Sequence, residues 1–558
     1  MAESDAPPPE RFSRFSAQSP ELSGDSGTWL TLPYDRRVLV VVRTITTLNR
    51  LLDVLTLFEN DHRVQVVFTV DEARPAILGA GVPALLEQLK MPVVSWDQAV
   101  QLPFELVIAA SENDDLHLLK APVVLLSHGV GFQKYYPGTT VVAGMDPDRL
   151  IRDGRVVAEL IAVSRQDEIE QIHRVSPAAA DHARVVGDPC LDRLLASRHL
   201  RPTYRRALDA ADRTLVTIAS TWGPASLLGA HPDLPLRVVS ELPVDEFAVC
   251  LVTHPGITAA HGSWQLDTWL AEARRAGLRV IPPESGWQTA IIAADCVLTD
   301  TGSVGTYAAA LARPSLLADG HPETILAGSP AAVLADQTAR LDLSADIAPQ
   351  IRTAIGSRSP YGAEADHPAA EVIGRIVDVP EQSAVLLRRA FYELLSLPEP
   401  GTQAEFALHP PYAASGSAGT AFVIGATVSG ATTTIVRLPT STTERQLDQQ
   451  HIAAAATGAS LRQLSGASII FTDLHTPSTF LSWAKSILAC WPDAELAAAR
   501  GHGRCLVHTR DGASYALTAD DPMLDPLLTA TLVLLGRTGA EEFVIVGDRR
   551  IRVTTETV

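Results

Sequence analysis

Two histidines in this chain fall where an imidazole can meet a substrate. His128 follows the apolar run Val123 to Leu126, and His254 follows Phe247 to Val252. Short, wholly apolar runs read as strands of a parallel sheet buried on both faces. In such sheets ligands sit outside the carboxyl ends of the strands. A histidine there suits general-base work, because its ordinary pKa lies near neutrality. Gly129 and Gly131, just after His128, permit a tight turn and close approach of a ligand to backbone.

A third strand end carries different chemistry. Cys296 to Leu298 leads into Thr299-Asp300-Thr301-Gly302-Ser303, and Ser303 opens a helical run through Tyr307 to Leu311. Free N–H groups and the dipole at a helix start favour an anion, and the Ser303 hydroxyl adds a donor. The combination suits a diphosphate. Each feature alone has a structural explanation: a histidine after a strand is more often packed than reactive, and such a tripeptide is commonly a helix cap. Neither half of the chain has a complete dinucleotide or P-loop fingerprint. Joint placement at carboxyl strand ends in two successive units favours the chemical reading. His173, His182, His199 and His475 lack that placement.

The elements that must position these residues alternate regularly. Strands are expected at Val38 to Val42, Val64 to Val70, Pro92 to Ser95, Leu106 to Ala109, Val123 to Leu126, Leu160 to Val163 and Arg184 to Val186. Helices intervene at Leu48 to Leu55, Ala84 to Lys90 and Gln166 to His173. The pattern restarts with strands at Thr214 to Ala219, Phe247 to Val252, Leu278 to Ile281, Cys296 to Leu298 and Ser315 to Leu317. Helices at Trp264 to Ala276, Trp287 to Ala294 and Ser303 to Ala312 separate them. Strands alternating with helices mean a parallel sheet covered on both faces, so the fold class is α/β with two Rossmann-like domains. Residues 1–36, rich in Pro, Ser and acidic residues, read as a disordered leader. The two Rossmann-like domains are expected at 37–199 and 200–397. After the linker Pro398-Glu399-Pro400-Gly401, residues 402–558 read as an added α+β domain. Its expected strands include Phe422 to Ile424 and Ile551 to Thr555, with helices at His451 to Ala456 and Thr479 to Leu488.

Bulk properties exclude several function classes. With 558 residues, 46% hydrophobic and 20% charged, the chain has the balance of a globular protein of more than one core. A formal net charge of -19 repels phosphate backbones, so nucleic acid is not an expected partner. Five cysteines without a C-x-x-C pair point to neither a disulfide framework nor a metal site. No secretory segment or bilayer-length apolar run is apparent. The expectation is a cytoplasmic protein, with loose association at a membrane face left open, and a homo-oligomer left open too.

At the strand-end loops the sequence resembles the CDP-glycerol glycerophosphotransferases, the teichoic-acid primases and polymerases. Their W-H-G tripeptide and following lysine correspond to Ser127-His128-Gly129 and Lys134. Their G-x-P-R-x-D corresponds to Gly187-Asp188-Pro189-Cys190-Leu191-Asp192, and their P-T-W to Ser220-Thr221-Trp222. An H-P pair is matched by His254-Pro255, and T-D-Y-S-S with a later R-P by Thr299-Asp300-Thr301-Gly302-Ser303 and Arg313-Pro314. The match runs in family order over about Val38 to Leu397.

The resemblance implies a GT-B fold and a transferase. Its donor would be a CDP- or UDP-type nucleotide diphosphate, the transferred group glycerol phosphate or a sugar, and the acceptor a hydroxyl, lipid-linked ones included. It implies no separate cofactor and a role in the cell envelope. By carry-over, His128 is the general base on the acceptor and His254 supports the leaving phosphate. Thr301, Gly302 and Ser303, with Thr221, hold the donor diphosphate. Lys134, Asp300, Gly129 and Asp192 support them. The Glu284 to Gln288 loop is placed to contact a base or ribose. Departures are Ser127 for Trp, Cys190 for Arg, Thr301-Gly302 for Tyr-Ser, and Gly223 for a basic residue. Two positive charges expected near phosphates are therefore missing. A non-catalytic nucleotide-binding or assembly protein on the same scaffold stays open, as does an enzyme resembling the UDP-sugar 2-epimerases.

Overall fold

The computed structural model describes residues 31–136, 138–318, 324–357, 369–412, 419–441, 447–473, 477–501 and 503–558. Most of the expected leader, and His475, lie outside these residues. The chain divides into two compact units. The first comprises residues up to Phe132, Val141–Pro189 and Asp378–Ala407; the second takes Gln133–Thr140, Cys190–Val377 and Leu408–Val558.

The first unit is built on a parallel sheet. Its strands are β1 (Arg36–Val41), β2 (Val64–Val70), β3 (Val93–Ser95), β4 (Leu106–Ala109) and β5 (Val123–Leu126). After a small hairpin of β6 (Ile151–Arg152) and β7 (Arg155–Val156) come β8 (Leu160–Val163) and β9 (Ala183–Val185). The order in the sheet is β3-β2-β1-β4-β5-β8-β9. Alternate side chains of each strand point to opposite faces. Val38 and Val40 feed one core, while Leu39 and Val41 feed the other, which is why the run must be apolar throughout. The helix Ile45–Leu55 starts at a Thr44 capping box closed by Thr47 and covers the first face with Leu48, Leu51 and Val54.

That same face is completed from far along the chain. The helix Ser383–Leu395 packs Leu387, Phe391, Tyr392 and Leu395 into the core of β1 and β2. Phe391 stacks on Phe58 with ring centroids 5.5 Å apart. Ala404 and Phe406, beyond the proline-rich linker, join the same core. Chain order alone groups this helix with the second sheet; the structure groups it with the first.

The second unit holds a parallel sheet of β10 (Thr214–Ser220), β11 (Phe247–Thr253), β12 (Arg279–Ile281), β13 (Cys296–Thr299) and β14 (Ser315–Leu317). Its order is β12-β11-β10-β13-β14. Two Rossmann-like sheets are thus present, as the alternating pattern requires. The helical run expected over Trp264 to Ala276 is two helices, Ser263–Trp269 and Ala271–Arg275, because Leu270 leaves helical geometry with ψ of 4°.

The C-terminal α+β part is a closed barrel. Its strands are β15 (Ala421–Ser429), β16 (Thr432–Pro439), β17 (His451–Ala455), β18 (Ile469–Asp473), β19 (Leu496–Gly501), β20 (Arg504–Thr509), β21 (Ser514–Ala519), β22 (Glu541–Val546) and β23 (Arg549–Thr557). Here one expectation fails: His451 to Ala456 is strand β17, not a helix. Alanine favours helix locally, but β17 is paired on both sides, antiparallel to β15 and parallel to β18, and such pairing overrides propensity. Period-two alternation sorts the side chains. Ala453, Ile469, Phe471, Leu496 and Ala498 enter one core with the buried segment Pro526–Leu534; Ala454, Ile470, Ala497 and Ala499 meet the helix Pro477–Cys490 through Phe480, Ala484 and Leu488. Among the described residues no helix is long and apolar enough to cross a membrane.

Truncating Phe391 to alanine should destabilise the first unit by about 3–5 kcal/mol, the usual cost of emptying a buried aromatic site. Hydrogen exchange would locate the effect: protection of β1 and β2 amides should fall while that of β10 and β11 holds. Unchanged protection in β1 would show that Ser383–Leu395 is dispensable to this core.

Candidate functional site

In the second unit three adjacent strands end together. Residue pairing runs Ser220 to Thr253 between β10 and β11, and Ala219 to Thr299 between β10 and β13. Thr221, His254 and Asp300 are the residues that follow these ends. Asp300 is 3% exposed, and one of its oxygens gathers the corner. It accepts from the Thr221 N–H at 2.8 Å, the Thr221 hydroxyl at 2.8 Å and the Leu227 N–H at 3.0 Å. Burial pushes its pKa up; the Leu227 and Thr221 donors and the Lys134 ammonium pull the other way. Lys134 is half-buried. Burial lowers its pKa, and Asp300 opposes that.

Lys134 reaches this corner because its segment is sewn to the second unit. Lys134 bridges Ile325, the Tyr135 N–H donates to the Thr324 carbonyl at 3.1 Å, and the Leu326 N–H donates to the Gln133 carbonyl at 2.8 Å. The Gln133 side-chain oxygen accepts from the Ala331 N–H at 2.8 Å.

The helix Ser303–Ala310 begins at Gly302, which is extended and offers no side-chain cap. A Cβ on Gly302 would lie 2.4 Å from the Thr221 methyl and 3.2 Å from an Asp300 oxygen. The sequence reading reserves this space for a ligand; in the structure Thr221 takes the close approach. Gly305 makes a similar contact with Thr299, whose hydroxyl would lie 2.9 Å from a Cβ. Thr301 and Gly302 border a cavity of 510 Å³ that continues past Ala309 and Leu334.

His254 caps the helix Pro255–His261. Its Nδ1 accepts the Gly256 N–H at 2.9 Å, so in the neutral ring Nε2 carries the hydrogen and is a donor. That arrangement suits stabilising an anionic oxygen better than removing a proton. The Trp222 ring, 43% exposed, sits 6.4 Å from the imidazole. Gly223 lies at φ 91°, a conformation that disfavours the basic side chain expected there.

His128 and Gly129 lie in the first unit, after β5. His128 is exposed, and the partial loss of water around its ring shifts its pKa down. Glu112 opposes this shift, Arg50 reinforces it, and a hydrogen bond to the Ala110 backbone raises the pKa. Arg50 and Asp188 are 4% and 1% exposed and joined at 2.8 Å. The other arm of Arg50 donates to the Gly129 carbonyl at 2.9 Å, and the Ser127 hydroxyl donates to the same oxygen at 3.2 Å. Glu168 holds the far side of this loop. It accepts from the N–H groups of Phe132 at 3.2 Å, Ser164 at 2.7 Å and Arg165 at 3.3 Å. Gly131, at φ 52°, has no room for a Cβ, which would overlap a Glu168 oxygen at 1.9 Å. Asp192 is buried in the helix Pro189–Ser197.

The structure therefore brings Thr221, Asp300, Gly302 and Lys134 into one cluster, with Thr301 and Ser303 on its helix start and His254 on the next strand end. His128 and Gly129 belong to the first unit. The sequence motifs leave out Arg50, Glu112 and Glu168, and include Asp188 without giving it a role. Arg50 carried a signal: it lies among Leu48, Leu51 and Val54 on the apolar face of its helix. Among the described residues no group of three or more His, Cys, Asp or Glu is placed to hold a metal.

No family model matches the chain, and no curated protein matches it. Solved structures do resemble it over 65% of its length. HepE of Anabaena, solved with UDP and glucose, is 14% identical, is covered over 99% of its chain and superposes with a TM-score of 0.38. The complex of HepE with UDP-glucose is 15% identical, with the same coverage and score. The wall teichoic acid polymerase TagF is 12% identical, covered over 88%, with a TM-score of 0.39. At such distance the activity of this chain has to be argued from its own residues.

Glu168 supplies a pH signature. Burial pushes its carboxyl from the ordinary 4.5 to about 7 against the pull of the Ser164, Phe132 and Arg165 N–H groups. A raised folded pKa means the folded state holds the proton more tightly, so the contribution is whole below about pH 4.5 and lost as pH rises through about 7. The unfolding free energy of wild type should fall relative to Glu168→Gln across that window. A difference between the two that stays constant from about pH 4 to 8 would contradict the titration.

Proposed function

We propose that this chain is a transferase of the GT-B kind that takes its group from a nucleoside-diphosphate donor and passes it to a hydroxyl acceptor. The observation that carries the reading is the corner of the second sheet. Three neighbouring strand ends deliver Thr221, His254 and Asp300, and the helix Ser303–Ala310 opens beside them. The N–H groups of that helix start, the Thr301 and Ser303 hydroxyls and the His254 Nε2–H are donors of the kind a diphosphate needs. Lys134 supplies positive charge, and Asp300 fixes the Thr221 backbone and hydroxyl rather than meeting phosphate itself. His254 gains importance in this scheme. As the leaving phosphate builds charge, an N–H donor of fixed tautomer stabilises it without moving a proton.

His128 is the proposed base. Its lowered pKa keeps the ring neutral and able to accept a proton near pH 7. The acceptor oxygen would lose its proton to the imidazole as it attacks the group on the donor, and the nucleoside diphosphate or monophosphate leaves with the bonding electrons. The transferred group is glycerol phosphate or a sugar, and the CDP or UDP preference belongs to the same proposal. So does a location in the cytoplasm, including the inner membrane face.

A second reading has its own support. Lys134 is the one ammonium described at this corner and is already engaged electrostatically by Asp300; Cys190 and Gly223 replace basic residues of the resembled motifs. A protein that binds a nucleotide without turning it over fits that economy of charge.

Calorimetry with CDP, UDP, cytidine and uridine tests both. Diphosphates should bind more tightly than nucleosides. Thr221→Val should weaken them by about tenfold, because Asp300 loses the hydroxyl through which it fixes this corner. Gly302→Val should abolish binding by driving Thr221 off Asp300. His128→Ala should keep donor binding and lower turnover by about 10²–10⁴-fold. Donor binding without turnover in wild type selects the second reading, and absence of any nucleotide binding removes both.

A further inference from the structure

The loop that bears His128 is pinned by charged groups, of which Asp188 alone falls within a strand-end motif, at its variable position. We infer that Arg50 is a positioning residue for His128: its guanidinium, anchored on Asp188, holds the Gly129 carbonyl and thereby sets the backbone on which the imidazole stands. The inference rests on the proposed role of His128 as base.

The geometry is that of a clamp. Arg50 is almost wholly buried in the middle of the helix Ile45–Leu55, one nitrogen 2.8 Å from Asp188 and another 2.9 Å from the Gly129 carbonyl. Asp188 sits just past the end of β9, in a turn where Gly187 adopts φ 82° and a Cβ would press on the Val379 carbonyl at 3.0 Å. A planar fork held by a carboxylate on one side presents its other N–H groups in a set direction. The Gly129 carbonyl, one residue past His128, is the group it meets. Three residues farther on, Glu168 fixes the Phe132 N–H. The stretch from Gly129 to Phe132 is thus tied at both ends to elements of the same unit, by a cation at a carbonyl and a carboxylate at an N–H.

A bare structural brace would need neither charge nor fork. Replacing the buried pair by apolar side chains of similar volume is often neutral or stabilising, so its presence here asks for another reason. Arg50 also bears on His128 electrostatically. The charged groups that act on the imidazole are Glu112, just past β4, and Arg50; Glu112 itself accepts the Gly144 N–H at 2.7 Å. The two act on the ring with opposite sign.

The test uses the full chain and reads His128 directly. Imidazole carbons would be observed by NMR in histidine-labelled protein, with the His128 signal assigned by its loss in His128→Asn. In Arg50→Gln the His128 titration should move to higher pH, because a cation that holds the ring's pKa down is lost. In Glu112→Gln it should move to lower pH. Arg50→Lys, which keeps the charge without the fork, should restore the titration but not the loop. Turnover in Arg50→Lys should therefore remain reduced, by up to about 10²-fold, as misplacement by about 1 Å can cost. Should Arg50→Gln fail to fold, the double variant Arg50→Gln with Asp188→Asn removes both charges and is read by turnover, which should stay reduced while the titration moves less. A His128 titration and turnover both unmoved in a folded Arg50→Gln would overturn the inference. If wild type shows no transfer at all, the Gly129 and Val130 amide signals, displaced in Arg50→Lys while the titration holds, still decide whether Arg50 positions the loop, and the proposed reaction alone falls.

Discussion

Every backbone N–H that leaves a buried strand end must find a partner, and in this chain buried carboxylates meet that demand. Asp300 collects two N–H groups and a hydroxyl where β10 and β13 end. Glu168 collects three N–H groups after β8 and in the loop past β5. Each carboxylate ties segments that are distant in sequence, and each ties the loops in which the reactive groups stand. The cost of burying an acid is offset only when its lone pairs are filled. Filling them leaves the loops little freedom, which is the condition for holding a hydroxyl or an imidazole in one place.

The barrel meets the second sheet through an arrangement of the opposite sign. Arg437 lies 2.5 Å from Asp245, before β11, and 2.6 Å from Asp525 in the barrel. Asp525 also holds Arg500 at 2.7 Å. The two carboxylates raise the pKa of the guanidinium they share, and Arg437 with Arg500 keeps Asp525 ionised in spite of burial. The Val244 N–H donates to the Arg437 carbonyl at 3.0 Å, so backbone and side chain of one residue fasten β16 to the sheet. A pair of this kind discriminates strongly against misalignment, because each unpaired charge would be stranded in a low-dielectric interior.

Much of the two sheets was legible because their strands are short, wholly apolar and bounded. Leu106–Ala109, Val123–Leu126 and Leu160–Val163 run from end to end as expected. Asp300 was legible from its place after such a run. The barrel was less so. Alanine-rich His451–Ala455 gives no period-two contrast between its faces, since both faces carry the same small side chain against different neighbours. The apolar stripe of the helix Ser383–Leu395 does not say which sheet it covers. Arg50 and Glu168 are charged residues on otherwise ordinary helices. What makes them matter is contact with loops some eighty residues downstream of the first and some forty upstream of the second, and periodicity carries no record of such contacts. The tautomer of His254 depends on one N–H two residues on, which only coordinates reveal.

The return of Ser383–Leu395 to the first sheet has a consequence for biosynthesis. On the ribosome β1 and β2 emerge early, while the helix that completes the cover of their first face emerges only after the whole second sheet, β10–β14, has been made. Through that interval Val38, Val40, Phe58 and Phe68 lack part of their cover. The contiguous second sheet can close first, and the first must wait with an adhesive face open to solvent, to chaperones and to neighbouring nascent chains. The order of completion thus runs against the order of the sequence, and yield in the cell becomes a property of the last helix to arrive.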